Sequence, residues 1–315
     1  MVEAMKIAYA DRSQLLGDPD FVKLPVAQLL SLAYAKKRRQ EINMESAKPS
    51  SEVKPAAQKI LEQFTSHSVY PQLLQHLIPQ QSLGKHRGRN SLPLPARKQK
   101  LRVGFYATRY ESPESSHLTV IDEQRNAVSL TFTVNYGFGS GVVAPGTGIL
   151  MNDEMDDFAA APGVPNAFGL VGSEANAIRP WRLRFAQSHP AKHPYLSSMT
   201  PTIVTENGRL RMAVGAPGGG TIITQVLQVI LNVLEYNMDA GAAVSVPRIH
   251  HQSLADELRV EPLGLEALTF ANLQRRGHKM KQTQPWGNIN SIVVTPDGTL
   301  EGAADPRGEG SPRGL

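Results

Sequence analysis

Beyond Glu111 the chain repeats one local pattern: two runs of alternating apolar and polar residues joined by turn-forming residues. His117–Asp122 and Ala127–Asn135 flank the polar break Glu123–Asn126. Thr202–Thr205 and Leu210–Val214 flank Glu206-Asn207-Gly208, and Asn-Gly is the strongest short hairpin cue. Ser291–Thr295 and Thr299–Gly302 flank Pro296-Asp297-Gly298. Alternation with period two calls for strands with one buried face. Two stretches switch to helical period instead. Thr221–Tyr236 carries Ile222, Val226, Val229, Ile230 and Val233 as an apolar stripe, and Leu265–Arg276 ends at Gly277. Hairpins with segregated helices predict an α+β layered sandwich, not a doubly wound parallel sheet.

The upstream part has a different texture. Residues 1 to about 45 read as helical. Val2, Met5, Ile7 and Ala8 suggest one apolar side, and Leu29, Leu30, Leu32 and Ala33 another, before the charged run Lys36–Arg39. Residues 46 to about 110 are rich in Pro, Ser, Gln and basic residues, with a short candidate helix near Ala56–Phe64. Between Phe64 and Tyr110 there is no acidic residue, while Lys85, Arg87, Arg89, Arg97, Lys98, Lys100, Arg102 and Arg109 are all basic. Setting those eight aside turns the net charge from +5 to −3. Such a stretch reads as a solvated insertion. Its alternative is an electrostatic footprint for nucleic acid.

With 0 cysteines, the chain has no disulfide, no thiolate metal site and no cysteine nucleophile. No segment approaches the roughly 20 apolar residues that span a bilayer. The N-terminal residues carry acids and no apolar run, unlike a secretory signal; they look like a helix already under way.

Several motifs carry candidate chemistry. Gly215-Ala216-Pro217-Gly218-Gly219-Gly220 lies between a predicted strand and a predicted helix. It serves either as a tight turn or as a cradle of backbone N–H groups for negative charge. Asp153, Glu154, Asp156 and Asp157 form an acidic knot, open to three readings: a solvated loop, a metal site, or recognition of an amino group. The neighbours His250 and His251 would point to opposite faces of a strand, which favours structural roles. Ser115-Ser116-His117 places hydroxyl groups at a strand start, by itself weak evidence of catalysis.

Taken in order, these motifs resemble one family. Ser115-Ser116-His117-Leu118-Thr119-Val120, Thr133-Val134-Asn135, Asn152–Phe158, Pro162–Asn166, Leu196–Met199, Pro217-Gly218-Gly219, Pro247–His251 and Asp305-Pro306-Arg307 together are similar to gamma-glutamyltransferases. Ala10-Asp11-Arg12 and Leu16–Phe21 look like the end of that family's large subunit. Any one motif is weak; all in one order are very specific. The likeness covers residues 1 to about 50 and 111–315, with the basic stretch as an insertion and Arg184–His193 as a smaller one. The implied regions are 1–50 (the end of the large subunit), 51–114 (a linker) and 115–315 (the small catalytic subunit).

The resemblance implies an N-terminal-nucleophile hydrolase with an αββα sandwich, incomplete in this chain. It implies self-cleavage between Glu114 and Ser115, then attack of Ser115 on a γ-glutamyl amide such as glutathione. The γ-glutamyl group would pass to water, an amino acid or a dipeptide. Thr133 would support the nucleophile, and Gly218 and Gly219 would donate N–H groups to the oxyanion. Asn135, Glu154 and Asp157 would hold the substrate α-amino group, and Ser197 and Ser198 its α-carboxylate. No metal or organic cofactor and no nucleic acid is implied; the partner expected is a large-subunit segment of the same family. The resemblance points to the periplasm or the extracellular space.

Two departures stand out. The family pattern has Thr where this chain has Ser115, which keeps the hydroxyl and loses the χ1 stiffness of the methyl. The family's large subunit begins far upstream of Met1 and supplies strands and an arginine for the α-carboxylate, so an incomplete core and unpaired strand edges are expected. The alternatives are an inactive remnant or binding protein, and a glutaryl- or cephalosporin-type acylase.

Overall fold

The computed structural model describes residues 1–19, 22–56, 115–178 and 196–314. The candidate helix after Ala56, the basic stretch, Glu114 and the Arg184–His193 segment lie outside the described residues.

The hairpins form where the turn chemistry puts them. β1 (Ser116–Ile121) and β2 (Ala127–Phe132) pair antiparallel, with His117 opposite Thr131. β3 (Thr202–Glu206) and β4 (Arg209–Gly215) turn at Asn207 and Gly208, whose φ angles of 51° and 75° are what this two-residue loop requires. β5 (Ile249–His250), β6 (Leu258–Val260) and β7 (Met280–Gln282) make a small mixed sheet. β8 (Asn290–Val294) and β9 (Leu300–Ala304) pair antiparallel and complete the order β3-β4-β8-β9.

The four-stranded sheet is the middle of three layers. Met212, Val214 and Val293 point from one face into a core with Ile222, Val226, Val229 and Val233 of α4 (Ile222–Leu234) and Ala243 and Val244 of α5 (Ala240–Ser245). Because strand side chains alternate, Gly215 and Asn290 face the other way and meet the β1–β2 hairpin. The hairpin's outer face leaves Leu118, Val120, Val128, Leu130 and Phe132 exposed. α6 (Ala267–Arg275) ends before Gly277, at φ 98°, and packs Phe270 and Leu273 beside the small sheet.

α1 (Val2–Leu15) is packed on two sides. Val2 and Met5 join Ile249, Leu258 and Val260, while Ile7 and Ala10 join Val53. Ala8, expected inward, is exposed. A short α2 (Val26–Leu29) leads to α3 (Leu32–Arg39), and here the expected apolar face fails. Leu30 and Leu32 are 74% and 70% exposed, and Ala33 also faces out. Ser31 caps α3 by accepting from the Tyr34 N–H, which phases the helix so that Tyr34 and Arg38 turn inward. Both reach Asp11 of α1, which also accepts from the Ala56 N–H. A buried polar network thus replaces the apolar seam.

A second buried network closes the C-terminal end. Arg248 pairs with Asp305, and Arg307 with Glu261 at 2.6 Å and Asp305 at 2.9 Å. The same carboxylates accept from backbone N–H groups of Arg248, Trp286 and Ile289. Full pairing is what allows these charges to be buried.

Candidate active site

Ser115 stands just before β1, opposite Thr133, which follows β2 in register. Its Oγ donates to Thr133 Oγ1 at 2.8 Å, and the same Thr133 oxygen accepts from the Asn135 N–H at 2.8 Å. Two rungs along the hairpin, His117 Nδ1 is bonded to Thr131 Oγ1 at 2.8 Å and Nε2 to Thr119 Oγ1 at 3.0 Å. Burial lowers the His117 pKa to about 4, so the ring is neutral at physiological pH. It lies against Gly215, where a Cβ would be 2.2 Å from the ring. The Asn290 side chain donates to the His117 carbonyl, tying the hairpin to the central sheet.

Asn135, at φ 75°, carries the chain to the acidic turn. Its Nδ2 donates to the Asp153 carbonyl at 3.3 Å, and the Tyr136 N–H donates to Asp153 Oδ1 at 3.1 Å. Glu154–Asp157 form one 3-10 turn that turns Glu154 inward. Burial, then the neighbouring Glu154 carboxylate, raises the Asp157 pKa to about 7; Arg12 opposes the shift and Asp156 adds to it. Two carboxyls held this close attract a cation or share a proton.

The glycine turn follows β4. Gly218 and Gly219 have φ of 130° and 53°, conformations that exclude most side chains. Gln225, wholly buried, donates to the Pro217 carbonyl at 3.2 Å and to Thr221 Oγ1 at 2.8 Å, and Thr221 Oγ1 donates to the Gly218 carbonyl. None of these bonds uses the N–H of Gly218 or Gly219. Phe168 packs on Gly219 and stacks on Tyr136 at 5.5 Å, which links this turn to the acidic one. Ser197 and Ser198 sit in an extended segment before β3. Ser197 Oγ accepts from the Met199 N–H at 3.0 Å, and Ser198 Oγ accepts from Arg12 at 2.8 Å.

The expected residues therefore fall into connected groups. Ser115, Thr133 and Asn135 form one; Glu154 and Asp157 follow from it through Asp153; Gly218 and Gly219 connect through Phe168 and Tyr136; Ser197 and Ser198 connect through Arg12. Reasoning on the sequence assigned no role to Arg12, Tyr136, Phe168, His117 or Gln225. Two of them stood in motifs the sequence offered, Arg12 in Ala10-Asp11-Arg12 and His117 in Ser115-Ser116-His117. His250 and His251 are buried: His250 is bonded to Thr224 and Gln252, and His251 accepts from the Ser253 N–H. A cavity of about 690 Å³ lies between α1 and α3 and shares only Arg12 with these groups. Among the described residues no three His, Asp or Glu side chains are grouped to hold a metal ion. Nor is any described helix long and apolar enough to cross a membrane.

The family model for gamma-glutamyltranspeptidase matches residues 1–315. The chain belongs to the gamma-glutamyltranspeptidase family. Among curated relatives, the glutathione hydrolase proenzyme of Escherichia coli is 41% identical over 98% of this chain and 42% of its own length. An acylase proenzyme of a Pseudomonas species is 32% identical over 99% of this chain and 42% of that protein. This chain thus spans less than half the length of these relatives. A solved variant of the gamma-glutamyltranspeptidase of Helicobacter pylori superposes with a TM-score of 0.55 and 45% identity, covering 61% of this chain and 99% of that one. The fold is accordingly the α+β sandwich of N-terminal-nucleophile hydrolases, of which the described residues form a part.

Proposed function

We propose that this chain carries the catalytic half of a γ-glutamyl hydrolase and transpeptidase that matures by cutting itself between Glu114 and Ser115. The observation that carries this reading is the Ser115–Thr133 hydroxyl pair, joined through Asn135 to the acidic turn. Ser115 Oγ attacks the Glu114 carbonyl carbon, the peptide C–N bond breaks, and the nitrogen leaves as the new α-amine. Water then opens the ester, returning the Ser115 hydroxyl and leaving a carboxylate on Glu114. In the mature site the α-amine, with a pKa of about 7.7–8.0, is the base that takes the hydroxyl proton.

Ser115 Oγ next attacks the γ-carbonyl carbon of the substrate while Gly218 and Gly219 N–H groups hold the oxyanion. The tetrahedral species collapses, the leaving amine takes the proton, and a γ-glutamyl ester remains on Ser115. Water releases glutamate; an amino acid or dipeptide amine gives transpeptidation. Asn135, Glu154 and Asp157 face the substrate ammonium, and the Ser197–Ser198 segment its carboxylate. Residues 1–50 belong in this scheme to the end of the large-subunit region, 51–114 to a linker and 115–315 to the catalytic subunit, with a further large-subunit segment as partner. Glutathione is the substrate proposed, and the periplasm or cell exterior the place of action.

A related acylase is the second reading, supported by the 32% identity to acylase proenzymes. The two carboxylates at Glu154 and Asp157 favour a substrate with an amino group. Assays with γ-glutamyl anilide and with glutaryl anilide, which lacks the α-amine and α-carboxylate, separate the two. Preference for the γ-glutamyl compound supports the first reading; preference for the glutaryl compound overturns it.

A further inference from the structure

In the Ala10-Asp11-Arg12 motif, Ala10 and Asp11 serve the packing of α1, while Arg12 has no part in the scheme above. Arg12 projects from α1, and its Nη2 donates to Ser198 Oγ at 2.8 Å and to the Leu196 carbonyl at 3.2 Å. The Ser197 carbonyl lies 3.5 Å from the same nitrogen. One guanidinium nitrogen thus gathers the serine segment. On its other side Arg12 lines a small cleft with Asp157, Asn166, Asn176 and Leu196, whose free volume of about 10 Å³ suits about one water. One helical turn earlier, Tyr9 donates its hydroxyl proton to the Gly220 carbonyl, beside the glycine turn. α1 therefore reaches the site at two points, three residues apart on one face.

We infer that Arg12 is a positioning residue that joins the two halves of the α-carbon subsite, fixing the Ser197–Ser198 segment while acting as the counter-charge of Asp157. The inference rests on the proposed function for what the subsite binds. The geometry of Arg12 itself does not depend on that function. An α-amino acid presents an ammonium and a carboxylate on one carbon, so a site for it needs an anionic group and a donor-rich group at fixed separation. Arg12 supplies that spacing from a rigid helix. The groups facing Asp157 are Glu154 and Asp156 from its own turn and Arg12 from α1; those facing Arg12 are Tyr9 and Asp157. Arg12 is thus the cation that offsets two neighbouring acids. Without it, Asp157 binds its proton more tightly and is no longer an anion for the substrate ammonium at neutral pH. Lysine keeps the charge but lacks the planar fork of donors.

The test compares wild type, R12Q and R12K, each checked for a cooperative thermal transition. The Asp157 carboxyl is followed by carbon-detected NMR across a pH titration and assigned with D157N. In R12Q its midpoint rises by about one pH unit, a tenfold gain in proton affinity, and in R12K it stays near wild type. In turnover, R12Q lowers kcat/KM for the γ-glutamyl anilide about tenfold more than for the glutaryl anilide. R12K raises KM for the γ-glutamyl anilide with kcat held. An unchanged Asp157 midpoint in a folded R12Q, or equal losses on both anilides, overturns the inference. Should R12Q not fold, R12K decides: a KM equal to wild type overturns it. If wild type turns over neither anilide, the proposed function has failed, and the carboxyl titration still decides the role of Arg12.

Discussion

Replacing Asp305 with alanine tests how far the C-terminal charge network supports the site. Asp305 is 0% exposed and Arg248 2%, and they pair directly. Asp305 also accepts from the N–H groups of Ile289 and Arg307 and from the Arg307 side chain. D305A leaves the Arg248 guanidinium buried without its nearest anion, a change that costs about 3–5 kcal/mol in comparable pairs. That is a large share of a typical stability of about 5–15 kcal/mol. The lesion is not confined to the C-terminus. Ile289 and Gly287 belong to one segment, and Gly287 packs against Gln225, the side chain that holds the Pro217 carbonyl under the glycine turn. D305A should therefore lower the urea midpoint sharply at unchanged slope and reduce turnover. R248M alone should also be costly, because Asp305 then keeps only one of its two guanidinium partners. The double variant D305A/R248M should recover part of the loss, since no unpaired charge remains from the pair. A D305A stability within about 1 kcal/mol of wild type would refute the reasoning, as would strictly additive losses in the double variant.

Three further outcomes follow from the site. Gly215→Ala drives a methyl into the His117 ring, so it should cost about 1–3 kcal/mol by denaturation and slow processing by loosening the hairpin that carries Ser115. Gly219→Ala meets the Phe168 ring at 2.4 Å from a φ of 53°, and displacing the proposed oxyanion donor should lower kcat roughly 100-fold or more, measured on γ-glutamyl anilide. Asp157 is raised to about 7 by burial and then by Glu154. In its proposed role the group must be ionised to hold the substrate ammonium, so kcat/KM should fall as pH drops through about 7. The sign for stability is opposite: the folded state holds this proton more tightly than the unfolded one, so the group's contribution weakens as pH rises from about 4 to 7. D157N should therefore gain Tm relative to wild type at pH 8 and not at pH 4; a constant difference would contradict the shift.

Much of the fold was legible because its signals are local. Asn207-Gly208 sets its own turn, and the Ile222–Val233 stripe needs only helical period to find the core. The misreading at Leu29–Ala33 has an equally local cause. Hydrophobicity suggested a face, but the Ser31 cap rotates α3 so that Tyr34 and Arg38 point inward. Their partner, Asp11, is more than twenty residues away in sequence, and nothing in the local pattern announces it. The same contrast holds at the site. The order of short motifs identified Ser115, Thr133, Asn135, Glu154, Asp157, Ser197, Ser198, Gly218 and Gly219 as candidates. The contacts that join them were not legible. Arg12 meets Ser198 across 186 residues, and Phe168 bridges Tyr136 and Gly219, contacts that only the packed chain creates.

The account turns on Ser115 being a nucleophile, and a denaturing intact-mass spectrum of the purified protein tests that most directly. It predicts two fragments, 1–114 and 115–315, in place of the 34.3 kDa chain, and an uncut chain for S115A. A wild-type chain that stays whole, or an S115A chain that is cut at the same bond, would contradict it.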